Sequence, residues 1–171
     1  VGTGEGNPRN STSIGGGIYR SGDGGKTWRL MGLAGSERIN RIALHPTDPD
    51  VVYVAALGTL WSGNEERGIY KTTDGGATWN RLEGGLPQEM VGRIGIDISP
   101  ADPDVLYAII DAKEKDERGT YRSADGGASW TKTSDYLTAY TFYFQRLVCD
   151  TENVDRGYVL DIFNKVSNDG G

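Results

Sequence analysis

One eight-residue phrase recurs along this chain and limits its fold more than any other feature. Ser21-Gly22-Asp23-Gly24-Gly25-Lys26-Thr27-Trp28 returns as Thr72-Thr73-Asp74-Gly75-Gly76-Ala77-Thr78-Trp79 and as Ser123-Ala124-Asp125-Gly126-Gly127-Ala128-Ser129-Trp130, with the aspartates 51 residues apart. A fourth copy opens at Ser167-Asn168-Asp169-Gly170-Gly171. Each complete copy follows a Gly-x-Tyr segment: Gly17-Ile18-Tyr19, Gly68-Ile69-Tyr70 and Gly119-Thr120-Tyr121. A second phrase lies between the boxes. Ile42-Ala43-Leu44-His45-Pro46-Thr47-Asp48-Pro49-Asp50-Val51-Val52-Tyr53 matches the stretch from Ile96 to Tyr107, and more weakly that from Leu147 to Tyr158. Self-similarity at such a period is the mark of stacked supersecondary units.

Each unit reads as four short strands, A to D. Strand A alternates, with Ile94, Ile96 and Ile98 on one side and Gly95 and Asp97 on the other. An Asp-Pro-Asp turn follows, in which proline fixes φ and the aspartates cap backbone N–H groups. Strand B is a continuous apolar run, Val51 to Ala56 or Val105 to Ile110, as expected of a strand buried on both faces. Strand C is the Gly-x-Tyr segment, and strand D starts at the tryptophan. The fold class is therefore all-β: a partial β-propeller of four-stranded antiparallel blades carrying Asp-box hairpins.

The box explains itself mechanically. Gly-Gly supplies positive φ for a tight C-to-D reversal. The Asp carboxylate and the Ser/Thr hydroxyls accept N–H bonds from the turn. The tryptophan is expected to bury its ring against the next blade and to need a partner for its indole N–H. Asp23, Trp28, Asp74, Trp79, Asp125, Trp130 and Asp169 are thus scaffold residues.

Composition then closes several functions. A net charge of −6 removes the basic footprint of a nucleic-acid binder. One cysteine, Cys149, excludes an intrachain disulfide framework and a thiolate zinc cluster, and one histidine, His45, excludes multi-histidine metal sites. No apolar run approaches the roughly 20 residues of a membrane span, and no signal-peptide pattern opens the segment. The Asp48-Pro49-Asp50 and Asp102-Pro103-Asp104 turns lack the ligand count of a calcium loop. Neither metal nor cofactor is expected. His45 reads as a turn residue, because its repeat counterpart is Ser99, and Cys149 as a small buried apolar side chain. Asn10-Ser11-Thr12 is a glycosylation sequon, meaningful only in a eukaryotic secretory host.

The three full boxes resemble the Asp-box, or BNR, repeat of sialidases, some endoglucanase-type glycoside hydrolases, photosystem assembly propellers and sortilin-type Vps10 domains. Val1-Gly2-Thr3-Gly4-Glu5, Gly58-Thr59-Leu60-Trp61 and the segment from Glu66 to Gly76 are similar to the amino-terminal propeller of large bacterial secreted proteins of the sortilin-like BNR group. That resemblance covers essentially the whole chain. It implies a secreted, periplasmic or cell-surface protein.

Counting strands gives 14, about three and a half blades, where propellers usually close with 4 to 8. Residues 1–35 form a blade lacking its first strand, 36–84 and 85–135 form full blades, and 136–171 form a blade lacking its last. Two readings follow: a piece of a longer propeller whose remaining blades are its partners, or self-association that covers the open edges.

Propellers bind ligands on loops between strands. The B–C and D–A loops share one face, and the A–B turns and boxes lie on the other. The B–C loops carry Glu5 and Arg9, then Trp61, Asn64, Glu65, Glu66 and Arg67, then residues 111–118. Trp61 either stacks on a sugar ring or peptide or packs on a neighbouring loop. The Glu66-Arg67 and Glu117-Arg118 pairs read as surface ion pairs. Arg38 and Arg93 come from D–A loops. In the aromatic run, Phe142 and Phe144 are expected in the core, with Tyr136 and Tyr140 exposed. Ligand-binding candidates are therefore Trp61, Asn64, Arg67, Glu5, Arg9, Arg38, Arg93, Tyr136 and Tyr140. A glycosidase needs two carboxylates, for which Glu65, Glu66, Glu5 and Asp97 are candidates. No residue-by-residue match to sialidase arginines or endoglucanase aspartates is visible. The reading preferred on sequence is a non-catalytic module binding polypeptide or glycan, without nucleic acid or membrane insertion. The alternative is a fragment of a BNR-repeat glycoside hydrolase acting on polysaccharide or sialoglycan.

Overall fold

A computed structural model of the chain describes residues 1–7 and 12–171. Among the described residues thirteen strands form four antiparallel sheets that follow chain order. The first pairs β1 (Tyr19–Arg20) with β2 (Arg29–Leu30), and its expected strand B is reduced to an isolated bridge between Gly2 and Ile18. The second runs β3 (Ile39–Leu44), β4 (Val52–Ala56), β5 (Gly68–Thr72), β6 (Asn80–Arg81). The third runs β7 (Val91–Ile98), β8 (Leu106–Ala112), β9 (Gly119–Ser123), β10 (Thr131–Ser134). The fourth holds β11 (Arg146–Cys149), β12 (Gly157–Leu160) and β13 (Lys165–Ser167). A 3-10 turn covers Lys115–Glu117. No helix among the described residues is long and apolar enough to cross a membrane.

The apolar strands B explain how such thin sheets hold together. Tyr53, Val54, Ala55 and Ala56 on β4 are all buried, as are Leu106 to Ile110 on β8. Alternate residues point into different interblade cores. Val54 and Ala56 join Ile18, Met31 and Ile39 between the first two blades, while Tyr53 and Ala55 join Ile94, Ile96 and Trp130 between the second and third. Tyr107 and Ile109 join Leu147, Cys149 and Val159 in the next. The second and third blades therefore each bury two apolar faces, one against each neighbour. A fully buried Ile or Leu side chain contributes roughly 1.5–3 kcal/mol on this count.

The boxes form as the sequence requires. In the second, Thr72 Oγ1 donates to Asp74 Oδ1 at 2.7 Å, Asp74 Oδ1 accepts the Thr78 N–H at 2.9 Å, and Asp74 Oδ2 accepts the Thr78 hydroxyl at 2.6 Å. The Gly75 and Gly76 φ angles of +69° and +94° lie where side chains are strained. The first and third boxes repeat these bonds. Hydroxyl and N–H donation holds the carboxyls of Asp23 and Asp125 at about 2 and that of Asp74 lower still.

The tryptophans depart from expectation. Their rings lie against the preceding blade, not the next. Trp79 packs in the cluster of Met31 and donates its indole N–H to the Met31 carbonyl at 2.7 Å. Trp130 is buried with Tyr53 and Leu86 and bonds Gly127 of its own box. Trp28 has no blade of this chain on that side; it is 50% exposed and bonds its own Gly25.

A latch joins blade to blade at the same repeat position. Arg20 donates to the Gly75 carbonyl at 3.0 Å, and Lys71 to that of Gly126 at 2.7 Å. Arg122 reaches Asp155 at 3.2 Å, beside Gly170. The Gly75, Gly126 and Gly170 N–H groups donate to the carbonyls of Asp50, Asp104 and Asp155. These cations sit 51 residues apart in strand C, and Arg20 also reaches the turn aspartate Asp50 at 3.4 Å.

Candidate functional site

The inner strands β3, β7 and β11 stand side by side and floor a cleft of about 650 Å³. Close approach of β7 to β11 depends on Gly95, where a Cβ would meet the Gln145 carbonyl oxygen at 2.3 Å. Two bulges shape its mouth. The β3–β4 register shifts between Ile39 and Arg41, and the β7–β8 register between Val91 and Ile94. A bulge re-aims side chains, and these two deliver Asn40 and Arg93 to the cleft wall. Asn40 Nδ2 donates to the Ile94 carbonyl at 2.8 Å. Arg93 donates to the Phe142 carbonyl at 2.7 Å and to Asn7 Oδ1 at 2.5 Å, while its Nε meets no acceptor among the described residues. Burial lowers this guanidinium to about 10, still charged at neutral pH.

Glu5, Tyr143, Phe144 and Asp161 complete the wall. Glu5 is exposed and accepts the Ser13 N–H at 3.4 Å. Asp161 Oδ2 accepts the Tyr136 hydroxyl at 2.8 Å and the Ala139 N–H at 2.9 Å. Its carboxyl lies below the usual range because those N–H donors, that of Ile162 and the Tyr136 hydroxyl outweigh burial; burial and Asp161 together push Tyr136 up to about 12.

Tyr136 is consequently half-buried, not an exposed ring. Phe142 is the reverse. Residues 140–143 form a turn in which Tyr143 and Phe144 N–H both donate to the Tyr140 carbonyl, so period-2 alternation does not apply. Phe142 stands 56% exposed beside exposed Tyr140, edge-on at 6.0 Å between ring centroids. The turn is pinned from beneath by Arg93 and by Thr141, whose hydroxyl donates to Asp111 Oδ2 at 2.8 Å.

Other candidates take structural positions. Arg67 donates from Nε to the Leu57 carbonyl and from Nη1 to that of Val91, both at 2.6 Å, and its Nη2 reaches the Thr59 carbonyl. Arg118 donates to the Ala112 and Lys113 carbonyls at 2.5 and 3.1 Å. Both arginines thus seal the end of strand B and do not pair with Glu66 or Glu117; Arg118 reaches Asp111 instead, at 3.5 Å. Asn64 Oδ1 accepts the Glu66 N–H and builds the same loop. Arg38 is only 4% exposed, tied to Glu37 at 2.6 Å and to Thr12 Oγ1 at 2.7 Å. Asp97 lies near the box end of β7, where both its oxygens are engaged by Arg41 and the Cys149 N–H. Glu65 is exposed on the loop, and Trp61 is 89% exposed without packing on a neighbour. Arg9 lies outside the described residues. His45 Nδ1 accepts the Asp48 N–H at 3.0 Å, the role filled by Ser99 and Asp150 in the next repeats.

The Sortilin-Vps10 family model, described as sortilin, neurotensin receptor 3, matches residues 16–166. The chain belongs to the Sortilin-Vps10 family. This Sortilin-Vps10 chain is also 31% identical over 143 residues to a xyloglucanase of Paenibacillus sp., covering 74% of the chain and 13% of that protein. It is 30% identical over 142 residues to xyloglucanase Xgh74A of Acetivibrio thermocellus, covering 78% and 16%. Among solved structures, an ancestral GH74 enzyme superposes with a TM-score of 0.68 at 20% identity, covering all of the chain and 23% of its own. At that identity the likeness establishes the fold, a β-propeller seen in part. The chain thus spans less than a fifth of the length of the two xyloglucanases it matches.

Proposed function

We propose that this chain is part of a glycoside-hydrolase-type propeller that holds a polysaccharide of the xyloglucan class across its loop-face cleft, outside the cell. The similarity to xyloglucanases favours this over the non-catalytic module preferred on sequence. The carrying observation is the cleft itself: about 650 Å³, open, with Glu5, Asn40 and Arg93 beside the rings of Tyr143 and Phe144. Polar groups for hydroxyls next to aromatic faces are what a sugar chain needs. Hydrolysis requires one protonated and one ionised carboxylate. Asp161, held below the usual carboxylate range by its donors, fits only the ionised role; we read this chain's share as binding, with the full carboxylate pair assigned to the complete propeller.

Isothermal titration of the chain with xyloglucan oligosaccharides tests this. Saturable binding that Arg93→Ala weakens in a folded protein is expected. Absence of binding to xyloglucan, with a peptide library binding instead, would favour a sorting-type role. That second reading draws on 26% identity over 139 residues to a vacuolar protein sorting/targeting protein 10 of Colletotrichum graminicola.

A further inference from the structure

The glycan cleft shares Arg93 with a smaller cavity of about 190 Å³. Two more arginines line this cavity, brought there by different elements. Arg38 stands just before β3, Arg67 just before β5, and Arg93 in the bulge of β7. Leu57, half-buried Leu60 and Phe142 supply its apolar side.

A buried cation is costly unless a charge answers it. Glu37 answers Arg38 at 2.6 Å. Asp111 also lines the cavity, but its Oδ2 accepts the Thr141 hydroxyl at 2.8 Å and its Oδ1 faces Arg118 at 3.5 Å. Arg67 and Arg93 are met by neutral oxygens alone among the described residues. Those are the carbonyls of Leu57, Thr59, Ser62 and Val91 for Arg67, and the Phe142 carbonyl with Asn7 Oδ1 for Arg93. The Nε atoms of Arg93 and of Arg38, a residue 4% exposed, find no acceptor there either. Burial lowers the Arg67 and Arg93 guanidinium groups from their ordinary value, as expected where charge is held without a counter-charge. This local positive field lies in a chain of net charge −6.

We infer that this cavity is a subsite for a uronic-acid residue of the bound polysaccharide, whose carboxylate is received by Arg67 and Arg93. The planar guanidinium presents paired N–H groups that match the two oxygens of a carboxylate. The apolar C–H face of the same sugar ring rests on Phe142. An acidic peptide offers the same carboxylate, but Arg93 belongs also to the cleft, so a sugar chain lying there reaches the cavity without a break. The inference rests on the glycan reading of the cleft and adds the charge of the chain it selects.

The test is calorimetric titration of the intact chain with a neutral xyloglucan oligosaccharide and with the same oligosaccharide after its primary alcohols are oxidised to carboxylates. The oxidised form is expected to bind about tenfold or more tightly, and the gap is expected to narrow as salt is raised. Leu60→Glu sets a competing carboxylate at the cavity and should abolish the preference. Leu60→Gln should keep it, and both variants should bind the neutral oligosaccharide as the parent chain does. Equal or weaker binding of the oxidised form, with the neutral form still bound, would overturn the subsite and leave the cleft reading standing. Binding of neither form would overturn both. A preference that survives Leu60→Glu would place the carboxylate elsewhere, and tighter binding of an aspartate-rich peptide than of the oxidised sugar would overturn the sugar assignment.

Discussion

Arg41 on β3 donates to Asp97 on β7 across 3.0 Å, and the other oxygen of the same carboxylate receives the backbone N–H of Cys149 on β11 at 3.0 Å. One side chain thereby ties the inner strands of three blades. Replacing Asp97 with Asn leaves the shape but gives Arg41 an uncharged partner and trades one acceptor for a donor. Loss of such a hydrogen-bonded charge costs about 1–3 kcal/mol. Urea unfolding followed by circular dichroism is expected to show that loss; an unchanged midpoint would mean the tie is slack.

Acid is expected to loosen the blades through the boxes. The carboxyls of Asp23 and Asp125 sit near 2 in the folded chain against an ordinary 3.8, and Asp74 lies lower. A group with a depressed folded value stabilises fully above its unfolded value and ceases to do so as pH falls through the folded one. The thermal midpoint should therefore fall between roughly pH 4 and pH 2. Asp125→Asn should lower the midpoint at neutral pH while flattening that acid slope. A slope identical to the parent chain's would count against the box as its source.

The three complete boxes should not be equal under mutation. Trp130→Ala empties a buried interblade site and should cost about 3–5 kcal/mol. Trp79→Phe removes the bond to the Met31 carbonyl and should cost about 1–2 kcal/mol. Trp28→Phe, at a half-exposed ring bonded only to its own box, should stay within about 0.5 kcal/mol. Denaturant midpoints for the three variants give the order directly.

Trp61 offers the opposite test. It stands almost wholly in solvent, so Trp61→Ala should leave stability within about 0.5 kcal/mol. If the ring stacks on a bound sugar chain, the same change should weaken xyloglucan binding by about tenfold. Titration of the parent and variant chains decides it, and equal affinities would remove Trp61 from the site.

Cys149 should be chemically silent while the chain is folded. Burial and the nearby Asp97 carboxylate push its thiol well above the usual range, and the thiolate is the reactive form. Modification by a disulfide reagent is expected only at the rate of opening, and to become complete in urea. Prompt reaction in buffer would show that β11 opens locally.

The fold was legible because each box encodes its own turn. Asp, Gly-Gly and the flanking hydroxyls specify a local hydrogen-bond set that needs no tertiary information, and the period then places the sheets. The equivalence of His45 and Ser99 was readable for the same reason. The site was less so. The exposure of Phe142 depends on Arg93, which is 49 residues away in sequence and pins the turn through a backbone carbonyl. Arg67 looked like a charge seeking a charge, yet carbonyls left over at the end of strand B were nearer. A signal for the latch did exist. Arg20, Lys71 and Arg122 recur at the box period, but a cation in a strand reads as a solvated face until its acceptor, a glycine carbonyl in another repeat, is known.

That latch has a consequence for how such a chain grows. The second and third units each carry a donor on one flank, the strand C cation, and an acceptor on the other, the box carbonyl or the turn aspartate beside it, whereas the fourth has Val166 in the cation's place. A duplicated copy of either unit therefore arrives with both halves of its own joints, and a deleted one removes both together. Blade number is free to drift by whole steps while every remaining joint keeps the same chemistry.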